Sequence, residues 1–174
     1  MTRKLPPDGA LVNLTSHWEE SFVSGRLLST KFSPPVLFDL DAEDGRVMPT
    51  FFVSPALLVR RSFAEALRNA GVDNIDTYEA IIRDPENEVT ITDYQVLNIV
   101  GLVSCADMEE SKVESLGEGI NVIDTVVIDS TRVADVSLFR LAEDPINIVI
   151  SDELHDQIVR MGYDDIYFEQ LALT

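Results

Sequence analysis

The sequence is poor in basic side chains, in histidine and in cysteine, and it has no glycine-rich phosphate-binding loop. Thirteen lysines and arginines stand against thirty-one aspartates and glutamates, which gives a net charge of −18 at pH 7. A surface of that sign repels nucleic acid, anionic lipid and free nucleotides, because cationic side chains are needed to neutralise phosphate. The same charge attracts a cationic protein and accelerates its encounter. The composition therefore favours a protein that binds another protein.

The histidines and the cysteine are too few for a metal or catalytic centre. His17 and His155 lie far apart in the sequence, whereas such a site needs a convergent cluster of groups. Cys105 has no second cysteine for an intrachain disulfide, and the apolar residues before it indicate an ordinary buried thiol. We expect no cofactor, no metal ion and no enzymatic activity.

Long hydrophobic runs are also missing. The apolar stretches at residues 51–53 and around Ile99 are far shorter than the roughly 20 residues of a membrane helix. Pro6 and Pro7 stand where a signal peptide would place its apolar segment. The chain is therefore expected to be cytoplasmic, with neither membrane nor nucleic acid as a partner. Its 174 residues, 45% of them hydrophobic, predict one compact domain over residues 1–174.

A unit of strand, capped helix, glycine and strand occurs between residues 51 and 78. Ser54 is the predicted N-cap and Pro55 the first helical residue, where the missing N–H of proline does no harm. Gly71 is the predicted helix stop, in a left-handed conformation, before an extended segment. The apolar stripe of this helix is Val59, Phe63, Ala66, Leu67 and Ala70.

A similar unit lies between residues 146 and 168. Ser151 is the predicted N-cap and Gly162 the predicted stop, followed by a strand at residues 166–168. The apolar stripe here is Leu154, Ile158 and Met161. Either duplication or convergence on a common helix exit explains the likeness.

The segment from residue 94 to residue 104 is apolar at both alternating sets of positions, which predicts a strand at the centre of a sheet. Asn98 interrupts it, and its buried amide is expected to hold a neighbouring loop rather than to act in catalysis. Further strands are predicted at residues 36–40, 122–128 and 137–141, and a short helix from a capping box at Ser16 to Gly25. The fold class is α+β, with a mixed sheet and two capped helices in similar strand–helix–strand units.

Residues 36–41 resemble the strand that carries the catalytic aspartates of haloacid-dehalogenase-type phosphatases. The resemblance implies that Asp39 attacks phosphorus and Asp41 handles the proton, with magnesium between them. The family continues with glycine and threonine, where this chain has Ala42 and Glu43, and Lys112 is the one downstream lysine that could hold the phosphoryl group. The other interpretation of the segment is an acidic turn after a strand.

A second resemblance spans many positions in order. They are Asp93-Tyr94, Leu97-Asn98, Ser111, Val127 to Asp129, Leu138 to Leu141, Ile148 to Ser151, Leu154, Gly162-Tyr163, Ile166 and Phe168. This pattern is similar to that of immunity protein family eleven, from bacterial polymorphic toxin systems. It covers roughly residues 50–170, so that residues 51–174 form a family-like core and residues 1–50 a segment of unassigned type. The resemblance implies a non-enzymatic α+β protein that binds and neutralises a cognate toxin.

Two acidic segments and one arginine are the candidate contact residues for such a partner, which would carry a basic surface. The first segment holds Asp107, Glu109, Glu110, Glu114 and Glu118, and the second Asp39, Asp41, Glu43 and Asp44. Each is either a contact that replaces phosphate in a basic cleft or a solvated face that maintains solubility. Arg140 is expected to pair with an acid on a strand, or else to grip the partner.

Three functions follow from these observations. The first is an immunity protein that neutralises a toxin by protein–protein interaction. The second is a phosphatase that uses Asp39 and Asp41. The third is a generic non-enzymatic adaptor, for which self-association into a homo-oligomer would be expected.

Overall fold

The computed structural model describes residues 2–3, 10–15, 22–28, 35–41, 45–117, 120–133 and 135–174. At residues 2–3, 113–117 and 120–122 it describes the backbone alone. The predicted helix from Ser16 and the candidate residues Glu43, Asp44 and Glu118 fall outside the described residues.

Short strands dominate the described part of the chain, and the predicted α+β class is confirmed. The strands are β1 (Thr2–Arg3), β2 (Val12–Leu14), β3 (Val36–Leu40), β4 (Phe51–Phe52), β5 (Leu58–Arg60), β6 (Ile75–Asp84), β7 (Val89–Ile91), β8 (Tyr94–Ile99), β9 (Leu102–Val103), β10 (Lys112–Gly117), β11 (Ile120–Thr125), β12 (Val127–Ile128), β13 (Leu138–Leu141), β14 (Ile148–Ile150), β15 (Ile166–Tyr167) and β16 (Ala172–Leu173). The helices are α1 (Arg61–Asn69) and α2 (Asp152–Arg160), and a 3₁₀ turn spans Ser130–Arg132.

A mixed seven-stranded sheet forms the centre, in the order β2-β3-β6-β8-β5-β4, with β7 added to β6. The pair of β3 and β6 is parallel, and the other neighbours in the sheet are antiparallel. A three-stranded sheet, β14-β13-β9, packs beside it. The β10–β11 hairpin and the pairs β1–β15 and β12–β16 complete the strand pairing of the described residues.

Strand β8 is the predicted central strand, and all six of its residues are buried. Leu97 and Ile99 belong to a core cluster that also contains residues of both helices. Tyr94 and Val96 face the opposite side, in a cluster with residues of β2, β3 and β6. Two cores thus share one strand, which explains why β8 is apolar at both alternating sets of positions.

The predicted strand does not run on to residue 104. Gly101 has φ +116°, in the left-handed region that favours glycine, and it separates β8 from β9. Strand β9 then pairs with β13 in the small sheet. The predicted strand over 122–128 is likewise divided, because β11 pairs with β10 whereas β12 pairs with β16.

The N-cap predicted at Ser54 is wrong. Helix α1 begins at Arg61, and its N-cap residue Arg60 makes no side-chain capping hydrogen bond. Leu58 and Val59 are extended instead, because they pair with β4 on one side and with β8 on the other. Pairing and burial in the sheet outweigh the local helix-start signal here, so Val59 belongs to β5 and not to the helical stripe. The helix buries Phe63, Ala64 and Leu67.

Helix α2 begins as predicted. The Ser151 hydroxyl accepts a hydrogen bond from the Leu154 amide at 3.2 Å, and Leu154 and Ile158 are buried. Gly162 has φ +83° after the last turn, as predicted, and Gly71 has φ +90° after α1. Met161 was expected in the buried stripe but is 44% exposed.

The side chain of Asn98 holds a distant loop, as predicted. It is fully buried, and its Nδ2 donates to the Arg26 carbonyl at 2.8 Å. The same loop touches the start of β9, because the Gly101 amide donates to the Gly25 carbonyl at 2.8 Å. A Cβ on Gly25 would lie 2.5 Å from Leu102 Cγ, so no larger residue fits there without movement.

Substitution of the two predicted N-cap residues tests which of them caps a helix. We expect Ser151→Ala to lower the free energy of unfolding by about 1 kcal/mol, because the Leu154 amide loses its acceptor. Ser54→Ala is the matched control and should change stability little, since Ser54 is exposed and does not cap α1. Urea unfolding of both variants measures the difference, and equal losses would contradict this assignment.

An ion pair joins the start of α1 to β6. Arg61 donates to both carboxylate oxygens of Glu79, at 3.0 and 2.8 Å, and Gln95 Nε2 donates to Glu79 Oε1 at 3.0 Å. These hydrogen bonds, the one from Arg61 first, lower the pKa of Glu79 from 4.5 to about 2. The Glu79 side chain is 54% exposed, so solvent screening keeps the contribution small.

The lowered pKa of Glu79 determines how its contribution to stability changes with pH. The stabilisation is present above the ordinary pKa of 4.5 and is lost as the pH falls towards about 2. We expect Glu79→Gln to cost about 0.5–1 kcal/mol at neutral pH and progressively less in acid. Urea unfolding over this pH range measures the effect, with the exposed Glu169→Gln as control. A loss that did not diminish with acidification would contradict the ion-pair account.

Candidate protein-binding surface

The first acidic segment begins with a tight turn before β10, here named the acidic turn (residues 107–111). It follows an isolated bridge between Ala106 and Ile128. The Asp107 amide donates to the Val127 carbonyl at 2.8 Å, and the Ser111 amide donates to the Asp107 carbonyl at 2.8 Å. The Ser111 hydroxyl also accepts from the Val127 amide at 3.0 Å. Backbone and side chain together fasten both ends of the turn to β12.

Asp107 orders this turn. Its Oδ1 accepts the amides of Glu109 and Glu110 at 3.1 and 3.2 Å, and its Oδ2 accepts the Thr174 hydroxyl at 3.0 Å. The Glu110 amide, then the Thr174 hydroxyl, hold the pKa of Asp107 below its ordinary value, although partial burial opposes them. Both oxygens of this predicted contact residue therefore have partners within the chain.

Glu109 and Glu110 are the outward-facing carboxylates of the turn. Both are exposed, and no ion pair or side-chain hydrogen bond joins either one to another described residue. Met108 beside them is 47% exposed. Glu114 lies on β10 opposite Val122, and the structure describes its backbone only. The turn thus presents two carboxylates and a flexible apolar side chain on a fixed backbone.

The hairpin after the turn contains the one base of the predicted acidic segment. Lys112 Nζ lies 2.7 Å from Asp124 Oδ2 across the β10–β11 pair. The lysine therefore neutralises an aspartate of the hairpin. This contact also engages the residue that the phosphatase resemblance required for holding a phosphoryl group.

The described residues of the second acidic segment, Asp39 and Asp41, contact side chains of neighbouring strands. Arg83 donates to both oxygens of Asp39, from Nε at 2.7 Å and from Nη2 at 3.1 Å. Asn13 Nδ2 donates to Asp41 Oδ2 at 3.2 Å. The Arg83 fork thus engages both oxygens of the aspartate that the phosphatase resemblance names as the nucleophile. Within the described part of the chain, no group of three or more His, Cys, Asp or Glu side chains could hold a metal ion.

The acid pairing expected for Arg140 is wrong. Arg140 is only 2% exposed, and its Nη1 donates to the Pro145 carbonyl at 2.7 Å. No carboxylate among the described residues pairs with it, and its Nε has no acceptor. Burial lowers the pKa of Arg140 to about 10. The guanidinium braces the loop between β13 and β14 and is too deeply buried to grip a partner.

The described cysteine and histidine have packing roles. Cys105 is fully buried, as predicted, and burial raises the pKa of its thiol. The His155 ring packs edge-on against Phe168, with ring centres 4.8 Å apart, and its Nδ1 lies 3.1 Å from Asp156 Oδ1. His17 lies outside the described residues.

Comparison with known protein families identifies the class of this chain. The model of the Immunity protein family (Imm11) matches residues 26–172, which is most of the sequence. The chain therefore belongs to the Imm11 immunity protein family. No curated protein matches the chain. Neither helix of the described residues has the length and apolar character needed to cross a membrane.

The matched region begins well before residue 50, where the sequence resemblance started. It includes β3, which pairs with β6 in the central sheet. Part of the unassigned N-terminal segment is therefore structurally continuous with the family core.

The role of Asp107 can be tested by hydrogen exchange. We expect Asp107→Ala to accelerate exchange at the Glu109 and Glu110 amides, because both lose their acceptor. Asp124→Ala is the control, since Asp124 pairs with an exposed lysine and accepts neither amide. Unchanged exchange in the Asp107 variant would contradict the organising role of this carboxylate.

Proposed function

We propose that this protein neutralises a cognate bacterial toxin by binding it, without chemistry of its own. Membership of an immunity protein family supports this function most directly. The net charge of −18 supports a toxin with a basic surface, because opposite charges raise the association rate and disfavour wrong partners. We further propose that the protein acts in the cytoplasm and belongs to a polymorphic toxin system.

The acidic turn is the proposed contact surface. Glu109 and Glu110 can occupy positions that phosphates would take in a basic cleft. Asp107 and Ser111 fix the backbone before binding, which reduces the conformational entropy lost on association. Met108 adds an adaptable apolar contact beside the two charges. These features together favour the turn over the second acidic segment, where Asp39 is paired with Arg83.

Neutralisation requires only that the complex covers the toxin's active site or holds the toxin in an inactive shape. Either result depends on slow dissociation, which is set by contacts buried at the centre of an interface. The long-range charge contributes mainly to fast association, and it is screened by salt.

The test uses the product of the gene adjacent to the one encoding this chain. We expect the two purified proteins to co-elute at low salt, with an association rate that falls steeply as salt rises. We also expect co-expression to rescue host cells from the toxin. Failure of the proteins to co-elute at low salt would contradict the proposed function.

Charge reversal then locates the contact. Changing Glu109, Glu110 and Glu114 together to lysine should weaken binding by several kcal/mol, because like charges then meet at the interface. The control changes Glu153, Asp164 and Glu169 to lysine. These three acids are exposed, and their reversal alters the net charge by the same amount. Isothermal titration calorimetry measures both variants, after thermal unfolding has shown that they fold. Equal losses would indicate a general charge effect and reject the acidic turn as the contact.

A further inference from the structure

A pocket of about 270 Å³ opens where three separate chain segments meet. The first is the turn between α1 and β6, the second is the link between β8 and β9, and the third is the approach to β13. None of these segments includes a residue of the acidic turn.

The side chain of Asn74 ties the three segments together. Its Nδ2 donates to the Val100 carbonyl at 3.1 Å and to the Leu138 carbonyl at 2.8 Å. The Val100 amide returns a hydrogen bond to the Asn74 carbonyl at 2.8 Å. The walls are therefore fixed before any ligand arrives, which favours binding.

The lining combines apolar walls with two carboxylates. The walls include Val100, Val103 and Phe139, and the charged groups are Asp73 and Asp135. Both aspartates are exposed, and neither has an ion-pair or hydrogen-bonding partner for its carboxylate among the described residues. No lysine or arginine belongs to the lining of this pocket in the described structure. The pocket is thus negatively charged and apolar at once.

We propose that this pocket receives one lysine or arginine side chain of the toxin. The proposal rests on the proposed function and extends it to a second contact. The aliphatic stem of such a side chain would lie against the valines, while its charged head would meet Asp73 and Asp135. Arginine is moreover enriched among the residues that dominate binding energy.

Size and chemistry favour a single cationic side chain over other ligands. The volume of about 270 Å³ is below the roughly 300–1,000 Å³ of small-molecule sites. The two carboxylates repel phosphates and other anions. A hard cation such as calcium would need about six to eight oxygen ligands, and among the described residues no group of three or more acidic, His or Cys side chains could hold one.

The pocket and the acidic turn are built on one core cluster. Phe139 belongs to it and Val103 packs against it, and the cluster also contains Ala106 and Ile128, which form the bridge before the turn. A partner held by both sites would therefore meet a single rigid support.

The test neutralises the pocket without changing its shape. The variant is Asp73→Asn/Asp135→Asn, and the control is Asp164→Asn/Glu169→Gln, which changes the net charge equally at exposed positions. Calorimetry with the adjacent-gene product is expected to show Kd raised by about 10- to 100-fold for the pocket variant and much less for the control. Asp135→Arg should weaken binding further, because its own cation would compete for Asp73.

A second measurement does not depend on the toxin. Nuclear magnetic resonance of the labelled protein is recorded with N-acetyl-arginine amide and with its neutral isostere N-acetyl-citrulline amide. We expect the arginine compound alone to shift the amide signals of Asn74, Gly101 and Ser137, and the pocket variant to abolish these shifts.

The outcomes separate the two proposals. Toxin binding by the wild type with no loss in the pocket variant overturns the pocket and leaves the proposed function intact. No toxin binding by the wild type overturns the proposed function. The resonance experiment with the arginine compound then tests the pocket independently of the toxin. Localised shifts specific to the arginine compound support a cationic side-chain site, whereas absent shifts or equal shifts with citrulline overturn it.

Discussion

The burial of β8 on both faces is the constraint on which the rest of the structure depends. Its two alternating sets of side chains enter different cores, one with the helices and one with β2, β3 and β6. Two amide side chains occur in this strand, and each donates a hydrogen bond: Gln95 to Glu79 and Asn98 to the Arg26 carbonyl. A buried N–H donor without an acceptor would cost about 1–3 kcal/mol, so these two donations favour the observed positions of β6 and of the loop at residues 22–28.

Short sequence patterns predict those parts of the fold that depend on interactions between residues close in sequence, such as helix caps. Ser151, Leu154 and Gly162 specify the start, the buried face and the end of α2 within twelve residues of sequence. The same signals failed at Ser54, because the extended state of Leu58 and Val59 is decided by strands that are distant in sequence. A sequence pattern shows that a segment could cap a helix. It does not show that the residues after the cap will pair with distant strands instead.

The sequence predicts the acidic composition of the candidate site but not how its side chains are arranged. The acidic character of residues 107–118 is evident in the sequence, yet Asp107 and Glu109 could not be distinguished there. Their difference depends on the Glu109 and Glu110 amides and on Thr174, which is 67 positions away from Asp107 and donates to its carboxylate. The acid pairing predicted for Arg140 is wrong because burial against a backbone carbonyl leaves no sequence signal. The sequence does not predict the pocket, because Asp73 and Asp135 are distant in sequence and line one cavity only after folding.

The acidic turn separates the groups that hold its shape from the groups that it displays. Asp107 and Ser111 make the internal hydrogen bonds, whereas the side chains of Glu109 and Glu110 make none with other described residues. Substitution at the displayed positions therefore carries little folding penalty. The turn is therefore an interchangeable display on a fixed scaffold, in which new side chains can be presented without rebuilding the hydrogen bonds beneath them.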